Sequence, residues 1–340
     1  MESGIGNSQS RSLRVLVVTN MWPSDDDPSY GSFVQDQMES LRSIGVDYEV
    51  FFINGRASRL NYARGIRDLR KSLRRKRFDL IHAHFGLSGW IARSQASLPI
   101  VLTFHGDDLL GKFRFDGSIT ALGRFFQGSS LILAPLVNAI IVQSHEMQNR
   151  LRFARSYVVP CGIDLDLFRP MDQREAREEL GLDAREKLLI FAYDPAEQRK
   201  RYDLVEQAVL IARKDVPDLR VLHVRGKPHA RMPVYMNAAD VLVVASEAEG
   251  GPLVTKEAMA VNLPVITVPV GDAVDLIGDS EGNYIVPRRA EAIAGKLVEV
   301  CRRGQRSQGR ERLMPFSMPA TAQKVLEVYR RVLNGSRASL

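Results

Sequence analysis

The sequence predicts an α/β protein with two domains, each built on a parallel β-sheet. Short apolar runs rich in β-branched residues alternate with longer amphipathic runs along the chain, an order typical of parallel sheets with crossover helices. The two halves follow the same plan without a short internal repeat. The length of 340 residues suits about two domains of ordinary size.

The apolar runs predict eleven strands, each short and bounded by turn residues. The expected strands are 13–19, 48–53, 78–84, 100–108 with its loop, 139–144, a strand beginning at 157, 187–192, 219–224, 241–245, 264–268 and 283–286. The expected helices are 32–43, a basic helix within 56–77, 172–180, 232–240, 253–261, 290–303 and 319–334. Ser32 is expected to cap the first of these helices.

Composition narrows the class of protein. An apolar fraction of 45% and a charged fraction of 26% are typical of soluble globular proteins. Cys161 and Cys301 have no metal-ligand spacing and favour a reducing compartment. No apolar run approaches a membrane-spanning length, and residues 1–12 read as a flexible polar leader without a signal-peptide core. We therefore expect a cytoplasmic protein.

The stretch SEAEGGPLVTKEAMAVNLP, residues 246–264, combines a strand end, a glycine-rich turn and a helix beginning at Leu253. A helix N-terminus after such a turn offers free backbone N–H groups that suit a phosphate. Glu249 in the turn and Glu257 in the helix can accept hydrogen bonds from sugar or ribose hydroxyls. A phosphate and a polyol together describe a nucleotide sugar. The alternative is a solvated glutamate pair on an ordinary loop.

Histidines mark the ends of two predicted strands in the first half. His82 and His84 alternate to one side of their strand, near the edge where ligands gather in open α/β sheets. A metal site would need further ligands, so a structural histidine is favoured, with His84 the more exposed. The His105-Gly-Asp-Asp108 turn presents an imidazole and a carboxylate with room for a substrate.

The segment 56–77 has ten basic residues and one acidic residue, Asp68. It reads either as a solvated helix face or as a basic amphipathic helix that lies against an anionic lipid surface. Nucleic acid is not expected as a partner, because no binding motif or aromatic platform accompanies the run.

Several of these motifs resemble those of the retaining glycosyltransferases of family 4. Glu249 and Glu257, separated by seven residues within EGGPLVTKEAMAVNLPVI, match the Glu-x7-Glu signature of that family. The segments 79–84, 103–108 and 157–170 resemble further family motifs in the same order. The sequence departs from the family pattern at two places. Gly250-Gly251-Pro252 follows Glu249 where the family has Gly-Phe-Gly, and Asp194 occupies the position of a family arginine.

The resemblance implies the GT-B fold, in which two Rossmann-like domains face each other across a cleft. The expected divisions are a leader at 1–12, an acceptor-side domain at 13–170, a nucleotide-sugar domain at 171–318 and a terminal segment at 319–340 that crosses back to the first domain.

The resemblance also implies a metal-independent retaining hexosyltransferase, without a cofactor, that moves a sugar from an NDP-sugar to a saccharide or lipid-linked saccharide acceptor in cell-surface polysaccharide synthesis. The implied catalytic residues are Glu249, His105 and Lys200. The implied donor-binding residues are Gly31, Arg199, Lys200, Glu249, Gly250, Gly251, Pro252, Leu253 and Glu257. The implied acceptor-side residues are His84, Asp107 and Asp108.

Two rival functions share this fold. A nucleotide-sugar epimerase would use the same ligand without an acceptor, and a non-catalytic partner subunit would keep the fold without the chemistry. A dinucleotide dehydrogenase is disfavoured, because no Gly-x-Gly-x-x-Gly follows a predicted strand.

Overall fold

The structure is a computed structural model that describes residues 12–25, 27 and 30–337. The leader expected at 1–12 therefore lies, except for Ser12, outside the described residues. The described residues form eleven strands and thirteen α-helices.

The strands are β1 (Leu13–Thr19), β2 (Val46–Phe52), β3 (Leu80–His84), β4 (Ile100–Thr103), β5 (Ala139–Val142), β6 (Ser156–Val158), β7 (Lys187–Phe191), β8 (Leu219–His223), β9 (Val241–Val244), β10 (Val265–Thr267) and β11 (Asn283–Ile285). The helices are α1 (Ser32–Ser43), α2 (Leu60–Arg75), α3 (Gly86–Arg93), α4 (Asp107–Leu110), α5 (Ala121–Leu133), α6 (His145–Asn149), α7 (Gln173–Leu180), α8 (Tyr202–Ala212), α9 (Met232–Ala238), α10 (Leu253–Ala260), α11 (Ala273–Ile277), α12 (Ala290–Arg303) and α13 (Met318–Arg337).

The strands form two sheets, and every strand pair in them is parallel. The first sheet has the order β2-β1-β3-β4-β5-β6, and the second, read in the same sense, has the order β8-β7-β9-β10-β11. In each, the strand order reverses next to the sheet's first strand, and ligands bind at such switch points. The prediction of two Rossmann-like domains is confirmed.

Alternation along the strands of the first sheet separates two apolar layers. Leu16 and Val18 belong to the layer that contains residues of α2, α3 and α5. Val15 and Val17 belong to the opposite layer, which contains residues of α1 and α13. Because both faces are covered, the central strands are apolar almost throughout, as expected for a parallel sheet.

The chain passes between the domains just after β6. Ile163 and Phe168 already pack in the core of the second domain, and α13 returns to pack on the first sheet. The Arg310 guanidinium donates to the carbonyls of Leu165, Phe168 and Ala260 at 2.5–2.7 Å, which ties this connection to the second domain. The expected division at residue 170 stays a prediction.

Candidate active site at the cleft between the domains

The candidate site lies at the carboxyl ends of the strands beside the second switch point. A short 3-10 helix, Gln198–Lys200, lies between β7 and α8, and the loop 245–252 joins β9 to α10. Because β7 and β9 are neighbours, these two segments meet, and Glu247 N–H donates to the Arg199 carbonyl at 2.8 Å. The fold thereby brings together predicted residues that are about fifty positions apart.

Glu249 is the centre of this site. Its side chain is almost fully buried, and its two carboxylate oxygens lie 2.6 Å from Lys200 Nζ and 2.6 Å from Arg199 Nη1. Burial alone would raise the pKa of Glu249, but the positive charges of Lys200 and Arg199 hold it at about 2. Glu249 is therefore a carboxylate at neutral pH and cannot serve as a general acid.

The two cations differ in their surroundings. Burial lowers the pKa of Lys200 despite the nearby Glu249 carboxylate, and its ammonium lies 3.5 Å from the centre of the Tyr193 ring. Arg199 also contacts Asp107 of the first domain at 3.2 Å and Glu197 at 2.8 Å. Burial acts to lower the pKa of Arg199, but Glu249 and the other two carboxylates raise it overall. Arg199 thus forms an ion pair across the cleft.

Asp194, which occupies the position of a family arginine, has a local structural role. Asp194 Oδ1 accepts a hydrogen bond from Ala196 N–H at 3.0 Å, which closes the turn after β7. Its second oxygen lies 3.1 Å from Arg225 Nη2. A carboxylate therefore occupies the position where the family has a cation, and Arg199 and Lys200 are the cations that contact Glu249.

Glu257 lies in a cavity of about 670 Å³ between the domains. Its carboxylate contacts His229 Nε2 at 2.8 Å, and this hydrogen bond raises the pKa of His229. Leu253 and Asp36 line the same cavity. Sequence reasoning missed His229, since it lies in a turn-rich segment and only the tertiary fold brings it to Glu257.

Two glycines let the facing loops approach closely. A Cβ on Gly250 would lie 3.1 Å from the His105 carbonyl oxygen, and one on Gly106 would lie 3.1 Å from Gly250 N. Gly251 packs in the same way against the Asp272 carboxylate, which pairs with buried Lys256. The turn 250–252 therefore packs closely against both domains, at His105 of the first and at Asp272 of the second.

Gly31 has the left-handed φ of 79°. A Cβ there would lie 2.4 Å from the carbonyl carbon of Met21, so a larger residue does not fit. Gly31 itself is the residue that precedes α1, without a side-chain cap. The prediction that Ser32 caps this helix was wrong.

Two predicted acceptor-side residues face the protein interior. His84 is 0% exposed, so the prediction that it is the more exposed histidine was wrong; α13 covers this face of the sheet, where Tyr329 OH lies 2.7 Å from His82 Nδ1. Asp108 is also buried, and its carboxylate accepts hydrogen bonds from the backbone N–H groups of Gly86, His105 and Gly106. Burial raises the pKa of Asp108 to about 7. Both side chains are therefore enclosed by and bonded within their own domain.

His105 belongs to a partly buried chain of hydrogen bonds. The Cys161 thiol donates to Gln143 Oε1 at 3.0 Å, so the Gln143 amide donates to His105 Nδ1 at 3.1 Å. His105 Nε2 then donates to His84 Nδ1 at 3.1 Å. Burial lowers the pKa of His105 to about 3, which keeps the ring neutral. With both ring nitrogens bonded, His105 presents its ring, and not a free nitrogen, to the cleft.

A second cavity, of about 800 Å³, lies on the first-domain side of Arg199. His105, Asp107, Glu197 and Arg199 line it. Its other lining residues are mainly aromatic and basic, and include Tyr30, Phe33, Arg56, Arg59, Tyr62, Phe85, Lys112, Leu122, Phe125 and Phe126. Arg199 therefore lines this second cavity, whereas Leu253 and Glu257 line the first.

Among the described residues, no group of three or more His, Cys, Asp or Glu side chains is arranged to hold a metal ion. Within the same part of the chain, no helix is long and apolar enough to cross a membrane.

Solved structures share this architecture. The sucrose-phosphate synthase of Thermosynechococcus elongatus superposes with a TM-score of 0.77 at 21% identity, covering 96% of this chain and 100% of that one. HepE of Anabaena, solved in complex with UDP-glucose, superposes with a TM-score of 0.67 at 15% identity, covering 94% and 100% of the two chains. At these identities the likeness shows the fold, which is GT-B.

Comparison with other protein sequences identifies the family of this chain. The glycosyltransferase TuaC of Bacillus subtilis (strain 168), named for teichuronic acid biosynthesis, is 25% identical over 359 residues, covering 84% of this chain and 88% of its own. The model of Glycosyltransferase Family 4 matches residues 9–167. The model of Glycosyl transferases group 1 matches residues 185–303. The chain therefore belongs to the glycosyltransferases that combine these two domains in a GT-B fold.

Proposed function

We propose that this glycosyltransferase moves a hexose from a nucleoside diphosphate sugar to a saccharide or lipid-linked saccharide, with retention of anomeric configuration. The observation that carries the proposal is the buried carboxylate of Glu249 between Lys200 and Arg199 at a sheet switch point. A site with two cations beside an ionised carboxylate suits a substrate that has both a diphosphate and a polyol.

The donor would lie along the second domain. Glu257 would accept hydrogen bonds from the ribose hydroxyls in the 670 Å³ cavity, where His229 holds its carboxylate. Backbone N–H groups of Gly250, Gly251 and Leu253 would bind the diphosphate at the start of α10, assisted by Lys200 and Arg199. Gly31 would let the donor and acceptor approach the first domain closely.

In the transfer step the bond between the anomeric carbon and the diphosphate oxygen breaks, and the acceptor oxygen forms the new bond on the same face. The acceptor hydroxyl proton passes to a phosphate oxygen of the leaving group. Lys200 and Arg199 stabilise the charge on the departing diphosphate, so this step requires no metal ion. Glu249 stabilises the positive charge at the anomeric carbon, and the neutral His105 ring shapes the wall beside it.

The relatedness to TuaC supports a role in cell-surface polysaccharide synthesis, and the HepE complex with UDP-glucose supports UDP-sugars as the donors to test first. Asp107, which contacts Arg199 from the first domain, lies where the acceptor would enter. Asp108 is not proposed as an acceptor residue, because backbone groups use its carboxylate.

Product analysis tests this proposal. Purified protein is incubated with one sugar nucleotide at a time, with a chelator and with or without a glycan extract, and nucleotide and sugar products are separated. Nucleotide release with sugar on an acceptor, in the donor's anomeric configuration, supports the proposal. A changed sugar on an intact nucleotide would show an epimerase. Donor binding without either product would show a non-catalytic subunit.

A further inference from the structure

Helix α5 exposes an apolar ridge. Residues 121–136 include one charged residue, Arg124. The ridge, which we call the α5 ridge, consists of Leu122, Phe125, Leu131, Ile132 and Leu136. Phe125 is 61% exposed and Ile132 is 64% exposed. Most of these side chains recur at helical spacing along the outer side of α5 and the turn after it. Soluble proteins rarely leave such a patch without a partner.

A strongly basic surface lies on the same side of the sheet. Helix α3 packs between α2 and α5, and all three helices contribute to one apolar layer. The outer surface of α2 has exposed cations, namely Arg64, Arg67, Lys71, Arg74 and Arg75. Asp68 is the single acidic residue of that helix. An apolar ridge and a strip of cations therefore flank α3 on one face of the molecule.

The 800 Å³ cavity opens between these two surfaces. Its wall includes residues at the start of each helix: Tyr62 in α2, Leu87 in α3, and Leu122, Phe125 and Phe126 in α5. Its cations Arg56, Arg59 and Lys112 are exposed, with Arg56 paired to Asp27 at 2.8 Å. Its two acidic residues, Asp107 and Glu197, are both paired with Arg199. The mouth therefore suits a group with anionic and apolar parts.

We propose that the face formed by α2 and the α5 ridge docks on an anionic bilayer, and that the acceptor reaches the cavity from that bilayer as a lipid with an anionic headgroup. This inference rests on the proposed function for the transfer itself. The ridge enters the boundary between headgroups and acyl chains, and the α2 cations pair with anionic lipid. This orientation brings Arg56, Arg59 and Lys112 to the headgroup layer, at the entrance to the site.

Vesicle flotation of the full chain tests the docking surface. The probes are phosphatidylcholine vesicles with and without phosphatidylglycerol, at low and high salt. Ile132→Asp with Leu136→Asp removes apolar ridge area outside the cavity wall, and Leu210→Asp on α8 is its control, because Leu210 is 58% exposed on the other domain. Lys71→Glu with Arg74→Glu reverses the α2 charge, and Lys214→Glu is its control.

Wild-type protein is expected to float with the anionic vesicles and to be released by salt. The ridge variant should bind them at least about tenfold more weakly, and the α2 variant at least about fivefold more weakly. The control variants should bind like wild type. Equal binding by all variants would overturn the docking surface, and so would a self-associating wild type that the ridge substitution turns into monomers without any vesicle binding.

The thermal shift caused by a nucleotide sugar separates this inference from the proposed function. The ridge and α2 variants should keep the wild-type shift, since they lie outside the donor site. Normal donor binding without vesicle binding would refute the docking surface alone. Vesicle binding without any donor binding would refute the proposed function, and with it the acceptor part of this inference.

Discussion

The loop between β4 and α4 and the loop between β9 and α10 meet at the cleft, yet their polar side chains are used differently. At the first, partly buried His105 in the loop and buried Asp108 in the first turn of α4 are bonded to their own domain. In the second, Glu249 is an ionised carboxylate bound to two cations. In the first domain His105 and Asp108 thus hold their own domain together, and Asp107 alone of the three contacts the second domain, at Arg199. The second domain has its charged groups at the candidate ligand site.

A polar residue at the end of a parallel strand can have either a structural or a ligand-binding role. Polar residues at the carboxyl edge of a parallel sheet are natural ligand contacts, but a neighbouring helix can enclose them, as α13 encloses His82 and His84. Position along a strand therefore does not separate a ligand-binding histidine from a structural one. The four predictions that follow test the contrast, in order of decreasing effect.

The largest effect is expected from Lys200→Met. Loss of this cation should lower the rate of transfer by about 100-fold or more, because charge on the leaving diphosphate is left without its buried donor. The measurement is nucleotide release at saturating donor. Lys187→Met, at the start of β7, is the control and should keep the wild-type rate, because Lys187 pairs at 3.8 Å with Asp240, away from the cleft.

Asp108→Ala should act on stability. It leaves two buried backbone N–H groups and one partly buried one without an acceptor, which we expect to cost about 3 kcal/mol of unfolding free energy. Denaturant unfolding measures this cost. Asp107→Ala, one position earlier and partly exposed, should cost less than about 1 kcal/mol. Equal losses of unfolding free energy in the two variants would contradict the structural role of Asp108.

The His229–Glu257 pair should make stability depend on pH. The Glu257 hydrogen bond raises the pKa of His229 above its unfolded value, so its stabilisation is complete below about pH 6.5 and is lost as pH rises through the folded-state pKa. In Glu257→Gln this loss should largely disappear. Melting temperatures from about pH 5 to about pH 9 measure it, with His145→Gln as the control. Parallel curves for wild type and Glu257→Gln would contradict the account.

The smallest effect is expected on donor affinity in Asp107→Asn. It removes one of three carboxylate contacts of Arg199 and the ion pair across the cleft, while the contacts with Glu197 and Glu249 remain. Since the pair is partly exposed, donor affinity should change by less than about tenfold. Isothermal titration with the donor measures this change. A change in donor affinity well above about tenfold would contradict this expectation.

Much of the fold could be predicted from the sequence, because strand signals are local. The runs 13–19 and 241–245, for example, correspond to β1 and β9 within a residue. The association of Lys200 with Glu249 was also within reach, since both follow neighbouring parallel strands. The α5 ridge could not be predicted. Gly123 and Gly128 interrupt the helical pattern of α5, and the exposure of its apolar side chains depends on how the helix packs in the folded domain.

His84 and His229 were also not assigned correctly from the sequence, because their surroundings depend on distant parts of the chain. His84 has the local pattern of a strand-end ligand, but the C-terminal helix α13 that covers its side of the sheet is more than two hundred residues away in sequence. His229 has no local signal at all, and only its 2.8 Å contact with Glu257 brings it to the site. In both cases a long-range contact decides the role of the side chain.

The most direct test of the central claim, that the second domain binds a nucleotide sugar around Glu249 and Glu257, is thermal stability against UDP-, GDP-, ADP- and dTDP-sugars. At about a hundred times its dissociation constant, the right donor should add about 2.7 kcal/mol of stability. The account predicts a shift with one nucleotide class in wild type and its loss in Glu257→Ala. No shift with any donor, or an undiminished shift in Glu257→Ala, would contradict it.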